Sequence, residues 1–211
     1  MKEKVNKSFI LKLLLCFVPF IISAVYYNKL PEQVAIHFDN AGTPDNYASK
    51  FLAAFGIPAL MIVIYLYSWF RNETDPKKNS SETLRSLFGW FIPILTNLVH
   101  IFTISYAMGM AMNLSFYSSL ILGLLFIIIG NYLPKCRQNY TLGIKLPWTL
   151  HDTDNWNKTH TLAGWLWIAG GFIFIANSFI AVPWLSISVI ALLIAIPFLY
   201  SYSLHKRTIV R

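Results

Sequence analysis

Six long apolar runs, separated by polar intervals of very unequal length, set the plan of this chain. They extend from about Phe9 to Tyr27, Phe51 to Phe70, Leu87 to Met110, Ser115 to Tyr132, Leu162 to Val182 and Trp184 to Tyr202. Each has the length of a membrane-crossing helix, for which roughly 20 apolar residues suffice. In hydrocarbon every backbone N–H and C=O must be paired inside the protein, so such runs are helical. The pattern predicts an all-α integral membrane protein, a bundle of about six transmembrane helices.

The intervals differ in kind. Residues 28–50 are rich in turn formers, with Pro31, Asn40, Gly42, Pro44 and Asp45. Within them Val34, Ile36 and Phe38 alternate with polar neighbours, which predicts a short extended segment lying over the membrane surface. Pro58 is expected to kink the second span. Arg71 to Ser86 is hydrophilic and reads as a mobile connector. The very short MAMNL link makes spans three and four an antiparallel hairpin, and Pro183 marks the turn between spans five and six. The longest polar interval runs from Gly130 to Gly164 and concentrates Trp, His, Asn, Asp, Lys and Arg where a mere connector needs few of them. It is the first candidate for function.

Composition sharpens this plan. Hydrophobic residues make up 56% of the 211 and charged residues only 12%, against about a quarter charged in soluble domains. The net charge of +8 has no compact basic domain to carry a groove-reading element, so no direct nucleic-acid partner is expected. Its distribution follows membrane orientation instead. Fourteen Lys and Arg fall in one set of segments: Lys2, Lys4 and Lys7; Arg71, Lys77, Lys78 and Arg85; Lys135, Arg137, Lys145 and Lys158; Lys206, Arg207 and Arg211. Lys29 and Lys50 alone lie on the other side, and Lys12 is placed to snorkel from the start of span one. Both termini and the long polar interval are therefore expected in the cytoplasm, with residues 28–50 outside. The first run has no A-x-A-like exit site and leads into further spans, so it is read as a retained span. Cys16 and Cys136 form neither a disulfide framework nor a CxxC pair and are read as free thiols.

The polar interval divides in two. Lys135, Arg137 and Lys145 lie beside Leu142, Ile144 and Leu146, a basic and apolar strip suited to anionic headgroups, a phosphorylated lipid or an acidic partner. The same residues are also what membrane orientation alone would place there. Pro147 is expected to stop any helix, and Asp152 or Thr153 to cap a new one. Beyond it Trp156, His160 and Gly164 recur every four residues and share a face. They form either a pocket in which Trp156 stacks and Thr159 with His160 makes polar contacts, or an interfacial anchor and a satisfied histidine. His151, Asp152, Asp154 and His160 are zinc-compatible residue types but match no compact metal motif, so neither metal nor other cofactor is expected. Outside, His37, Asp39 and Asp45 suit a cation or the positive end of a peptide, or else a turn network built on Asp45 and Asn40. Within the spans Asn97 and His100 share a helical face near Thr96 and Thr103, and either mark a pathway or hydrogen-bond between helices, with Asn177 as a candidate partner. Nucleophile motifs and phosphate loops are missing from the sequence, so no catalytic residue is assigned. Chemistry on a lipid phosphate through Arg137, Lys145, His151 and His160 is the enzymatic alternative.

Two segments carry a resemblance. Leu30-Pro31, His37-Phe38, Gly42, Asp45, Tyr47 and Ser49-Lys50 resemble the outer-loop signature of the DUF1648 family, with Ala35 and Ala48 where proline and glycine are usual. Gly130-Asn131, Pro134-Lys135, Arg137, Asn139, Gly143-Ile144, Pro147-Trp148-Thr149, Trp156, Thr159-His160 and Gly164 resemble the box of the SdpI family. Lys145 stands where that family usually has arginine, which matters wherever a planar bidentate contact is needed. The resemblance implies a DUF1648-like two-helix region over 1–86 with extracellular loop 28–50, and an SdpI-like four-helix region over 87–211 with cytoplasmic box 130–164. It implies a multi-pass protein of the bacterial cell membrane, in contact with lipids. Members of the best-known type protect their producer from a secreted peptide toxin that collapses the membrane potential, and hold a small transcriptional repressor at the membrane. Both roles, and both partners, are implied here by resemblance.

Overall fold

The computed structural model describes residues 7–39, 42–76 and 82–209. Lys2, Lys4, Asn40, Lys77, Lys78 and Arg211, which entered the charge and turn arguments, lie outside the described residues. Six helices are long and apolar enough to cross a membrane: α1 (Lys7–Tyr26), α2 (Ile57–Glu73), α3 (Glu82–Ala107), α4 (Leu114–Tyr132), α5 (Thr153–Ile180) and α6 (Pro183–Ile209). A two-stranded antiparallel sheet, β1 (Gln33–Phe38) with β2 (Pro44–Ser49), occupies the loop between α1 and α2. α5 starts well before the apolar run it contains, because Asp152 caps it by accepting the Asp154 and Asn155 amides. The polar residues Trp156 and His160 are thereby already helical.

The chain forms two compact units, residues 1–73 with 82–112, and residues 74–81 with 113–211. The packing boundary thus falls between α3 and α4, whereas the family resemblance divides the chain before α3.

In the first unit α1, α2 and α3 pack together under the hairpin. Val34 and Ala48, paired across the strands, are buried against Ala53 and Ala107, and Leu30 joins Ala54 and Ile104. The expected alternation fails at Ile36. The register shifts between Ala35 and His37 and again before Phe38, and this irregularity buries Ala35 while turning Ile36 outward. Phe38 keeps its inward role, edge-on to Tyr106 at 4.8 Å.

Prolines organise the intramembrane hydrogen bonds. A proline in a helix has no N–H, so the carbonyl four residues earlier loses its donor. Pro19 releases the Leu15 carbonyl, which accepts from Asn97 Nδ2 at 2.9 Å. Pro58, just after a π turn at Leu52–Gly56, releases the Ala54 carbonyl, which accepts from the Ser23 hydroxyl at 2.6 Å. In the second unit Pro197 releases the Leu193 carbonyl, which accepts from Trp167 Nε1 at 3.2 Å. Because the Ser23 proton is directed to a carbonyl, His100 Nε2, 2.9 Å away, donates to the Ser23 oxygen. Asn97 and His100 thus each hydrogen-bond from α3 to α1. Lys12 is buried, and its Nζ donates to Ser86 Oγ and the Ser86 carbonyl.

In the second unit α5 is central. It meets α4 through two reciprocal glycine pairs, Gly123 with Gly171 and Gly130 with Gly164, where an added Cβ would stand 2.6–2.8 Å from the opposite carbonyl oxygen. These pairs recur at seven-residue intervals, so the two helix backbones approach closely along one seam. On its other side α5 sets Phe174 against Val189 and Leu193 of α6, with Phe126 and Trp167 beside them. Asn177 bonds the Val182 amide and carbonyl and Ser186 Oγ, closing the turn into α6.

Candidate functional site

Between α4 and α5 the polar interval folds into a compact box with little regular structure. A single 3-10 turn, Leu133–Lys135, leads out of α4. Because the next residues make no ladder, their main-chain groups must find side-chain partners. Asn139 is the first organiser: buried, it accepts the Thr141 and Leu142 amides on Oδ1 at 2.8 and 2.6 Å and donates Nδ2 to the Arg137 carbonyl at 2.7 Å and to Cys136 Sγ at 3.4 Å. Thr149 is the second. Its buried hydroxyl accepts the Leu146 amide and lies within bonding distance of the Ile144 and Leu146 carbonyls, while its own carbonyl accepts from Gln138 Nε2. Pro147 opens the short turn that ends at Asp152, and His151 Nδ1 donates back to the Pro147 carbonyl at 2.6 Å.

α5 supplies the inner wall. Trp156 and His160 are 0% and 1% exposed and stack with ring centroids 4.0 Å apart. Trp156 Nε1 donates to the Cys136 carbonyl at 2.7 Å. His160 Nδ1 faces the Trp156 carbonyl at 2.8 Å and must donate to it, so Nε2 is the lone-pair nitrogen that accepts the Ile144 amide at 2.9 Å. The geometry thus fixes one neutral tautomer. Gly143, at φ 101°, lets the chain pass directly over this pair: a Cβ there would collide with His160 Nε2 and crowd the Trp156 ring. The four-residue spacing correctly placed Trp156, His160 and Gly164 on one face. The space that the pocket alternative needs is filled by the box's own loop.

A polar node ties the box to α6. Asn155 Nδ2 donates to the Ser201 carbonyl at 2.9 Å, and its Oδ1 accepts from Ser201 Oγ and Thr159 Oγ1 at 2.8 and 3.0 Å. Trp148 Nε1 reaches Ser201 Oγ at 2.7 Å, and its ring sits among Phe198, Tyr202 and His205. Asn155, Gln138 and Ser201 were not singled out in the sequence. Asn155 and Ser201 stand on helices 46 residues apart, and a serine amid an apolar run was the one available signal.

What remains at the surface is basic. Lys135, Arg137 and Lys145 are exposed, as is Asn131 on the last turn of α4. Lys135 Nζ lies over the Tyr132 ring at 4.9 Å, and Lys145 Nζ donates to the Tyr140 and Thr141 carbonyls. Lys158 pairs with Asp154 one turn away. Among the described residues no three His, Cys, Asp or Glu side chains are grouped to hold a metal, so His151, Asp152, Asp154 and His160 do not converge.

The hairpin is the second candidate surface. His37 Nδ1 and Asp45 Oδ1 pair at 2.6 Å, 68% and 46% exposed. Asp39 closes the turn by accepting the Thr43 amide, and Gly42 takes φ 82° there. Lys50 lies 3.6 Å from Glu32 and over the Tyr27 ring, while Pro31 and Tyr47 are exposed. His37 and Asp45 thus pair with each other and Asp39 caps the turn, while Asn40, the other residue of the turn alternative, lies outside the described residues.

Comparison with known proteins adds to this geometry. Residues 135–201 match the SdpI/YfhL protein family and residues 14–62 match a domain of unknown function, DUF1648. The immunity protein SdpI of Bacillus subtilis is 28% identical over 204 residues, spanning 95% of this chain and 97% of that protein. The uncharacterized membrane protein YbgB of the same organism is 40% identical over 52 residues, 25% of this chain and 54% of that protein. No solved structure matches.

Proposed function

On the premise that residues 135–201 belong to the SdpI/YfhL family and residues 14–62 to DUF1648, we propose that this multi-pass bacterial membrane protein is an immunity protein. It protects its cell from a secreted, membrane-active peptide toxin and has no catalytic role. The observation that carries the reading is the likeness to an immunity protein along 95% of the chain. Counting six spans along the sequence favours opposite sides of the membrane for residues 28–50 and 130–164, and the excess of Lys and Arg argues that the box and both termini face the cytoplasm. The hairpin, with His37, Asp45, Tyr47 and Lys50 at its surface, then meets the peptide first. The box acts behind it, as the support or relay through which a small transcriptional repressor is held at the membrane. Its tightly bonded interior suits that role better than ligand capture, since Trp156, Thr159 and His160 have their polar groups occupied.

Deleting the gene in its native host and challenging with membrane-active peptides tests protection; unchanged sensitivity to all of them refutes it. Co-purification of a small DNA-binding regulator tests retention, and its absence both with and without peptide removes that part.

The exposed basic strip favours a second reading, binding or chemistry on lipid phosphate headgroups. Membrane lipid profiles with and without the gene, and after Trp156→Ala or His160→Ala, discriminate the two. An unchanged profile eliminates this alternative.

A further inference from the structure

The box is held in part by a residue that lies outside both matched family segments. Asp75 belongs to the connector that follows α2, yet it is only 8% exposed and packs within the second unit. Its Oδ2 accepts the Tyr140 amide at 2.8 Å and the Thr141 hydroxyl at 2.6 Å. The connector read as mobile is thus anchored at this position.

The surrounding pattern shows what the anchor does. Four amides of the irregular stretch after Asn139 are bonded to side chains: Tyr140 to Asp75, Thr141 and Leu142 to Asn139, and Ile144 to His160. Lys145 closes the same turn from the opposite side through the Tyr140 and Thr141 carbonyls. Of the three acceptors, Asp75 alone comes from outside the box. Hydrogen bonds to a carboxylate are roughly twice as strong as neutral ones, so this contact is a main restraint on the turn. Asp75 is also two residues beyond Glu73, where α2 ends. α2 in turn follows β2 directly through the π turn whose Ala54 carbonyl takes the Ser23 hydroxyl. One continuous stretch of chain therefore joins the hairpin to a carboxylate seated in the box.

We infer that Asp75 is a positioning residue of the box, and that through it the connector reports the state of α2 to the turn from Asn139 to Ile144. This rests on the reading of the hairpin and box as two ends of one relay, and gives that relay a physical route.

Cys136 supplies a readout independent of immunity. It is buried, and its Sγ accepts from Asn139 Nδ2 and lies 3.9 Å from the Leu142 carbonyl, so its reactivity follows the integrity of the turn. Full-length protein in native membranes is treated with a small maleimide, and labelling at Cys136 and Cys16 is quantified separately by peptide mass. Asp75→Ala removes the Tyr140 and Thr141 hydrogen bonds to this carboxylate and is expected to raise Cys136 labelling at least roughly tenfold, with Cys16 in α1 unchanged. Asp75→Asn, which keeps an acceptor oxygen without the charge, should lie between. Unchanged Cys136 labelling in both variants overturns the positioning role. If Cys16 labelling rises in parallel with Asp75→Ala, the isosteric Asp75→Asn decides: a rise at Cys136 alone supports the role and no rise overturns it. Coupling is read by adding Ser23→Ala, which disturbs α2 near the hairpin. Its effect on Cys136 should be present with Asp75 and absent with Asp75→Ala; an equal effect in both overturns the relay. A rise at Cys136 in the Asp75 variants, in a host whose peptide sensitivity is unchanged by deleting the gene, would count against the immunity reading and leave the Asp75 assignment standing.

Discussion

If Asn97 is retained because Pro19 strands a carbonyl, its value must vanish when the proline does. Asn97→Leu keeps the branched outline and heavy-atom count of the side chain but removes the Nδ2 donor that reaches the Leu15 carbonyl at 2.9 Å. That oxygen has no helical donor while residue 19 is proline, and hydrocarbon offers none. Side-chain hydrogen bonds inside membrane proteins average about 0.6 kcal/mol and reach about 1.7. With no substitute partner for Leu15, the upper part of that range applies, about 1.4 kcal/mol or roughly tenfold in the unfolding equilibrium. In a Pro19→Ala background the new N–H pairs with Leu15 within α1, and Asn97→Leu should then cost less than about 0.5 kcal/mol. The four proteins are compared by reversible SDS-driven unfolding in bicelles. An Asn97→Leu penalty of the same size in both backgrounds would refute the argument.

Three further outcomes follow from geometry already described. Gly164→Ala places a Cβ 2.7 Å from Pro134 Cγ and 2.8 Å from the Gly130 carbonyl; forcing α4 and α5 apart should cost about 1–3 kcal/mol in the same unfolding assay. Trp156→Phe keeps most of the stack on His160 but leaves the buried Cys136 carbonyl without its indole donor, a loss of about 1–3 kcal/mol readable as a lower melting temperature in detergent. His37→Ala removes an exposed pair worth no more than about 1 kcal/mol, so thermal stability should hold while protection against the peptide falls; protection at the original level would displace the hairpin as first contact.

The spans were legible because hydrocarbon enforces helices wherever an apolar run is long enough, and that constraint needs no knowledge of neighbours. Asp152 was legible as a cap for the same local reason, and the four-residue spacing of Trp156, His160 and Gly164 gave their common face correctly. Their partners were not legible. The Ile144 amide that meets His160 comes from a loop whose path depends on Gly143, and Ser201, which meets Asn155, sits in an otherwise apolar run. At Ile36 a strict period of two was assumed where a register shift breaks it. The connector was judged by its charge, which concealed the buried carboxylate of Asp75. The prolines held an unused signal: counting back four residues from Pro19, Pro58 and Pro197 marks three carbonyls that accept from side chains.

The seating of Trp148 among Phe198, Tyr202 and His205, with Ser201 at its centre, bears on how this protein can be handled. The last three turns of α6 are packed into the box and are not a disposable tail. A reporter fused as a helical continuation of α6 would act as a lever on the Asn155–Ser201 node, and a truncation ending before Phe198 would strip the cover from Trp148. Topology reporters and purification tags on the carboxyl end therefore need a flexible spacer, or the amino end, if the protein they report on is to keep its working shape.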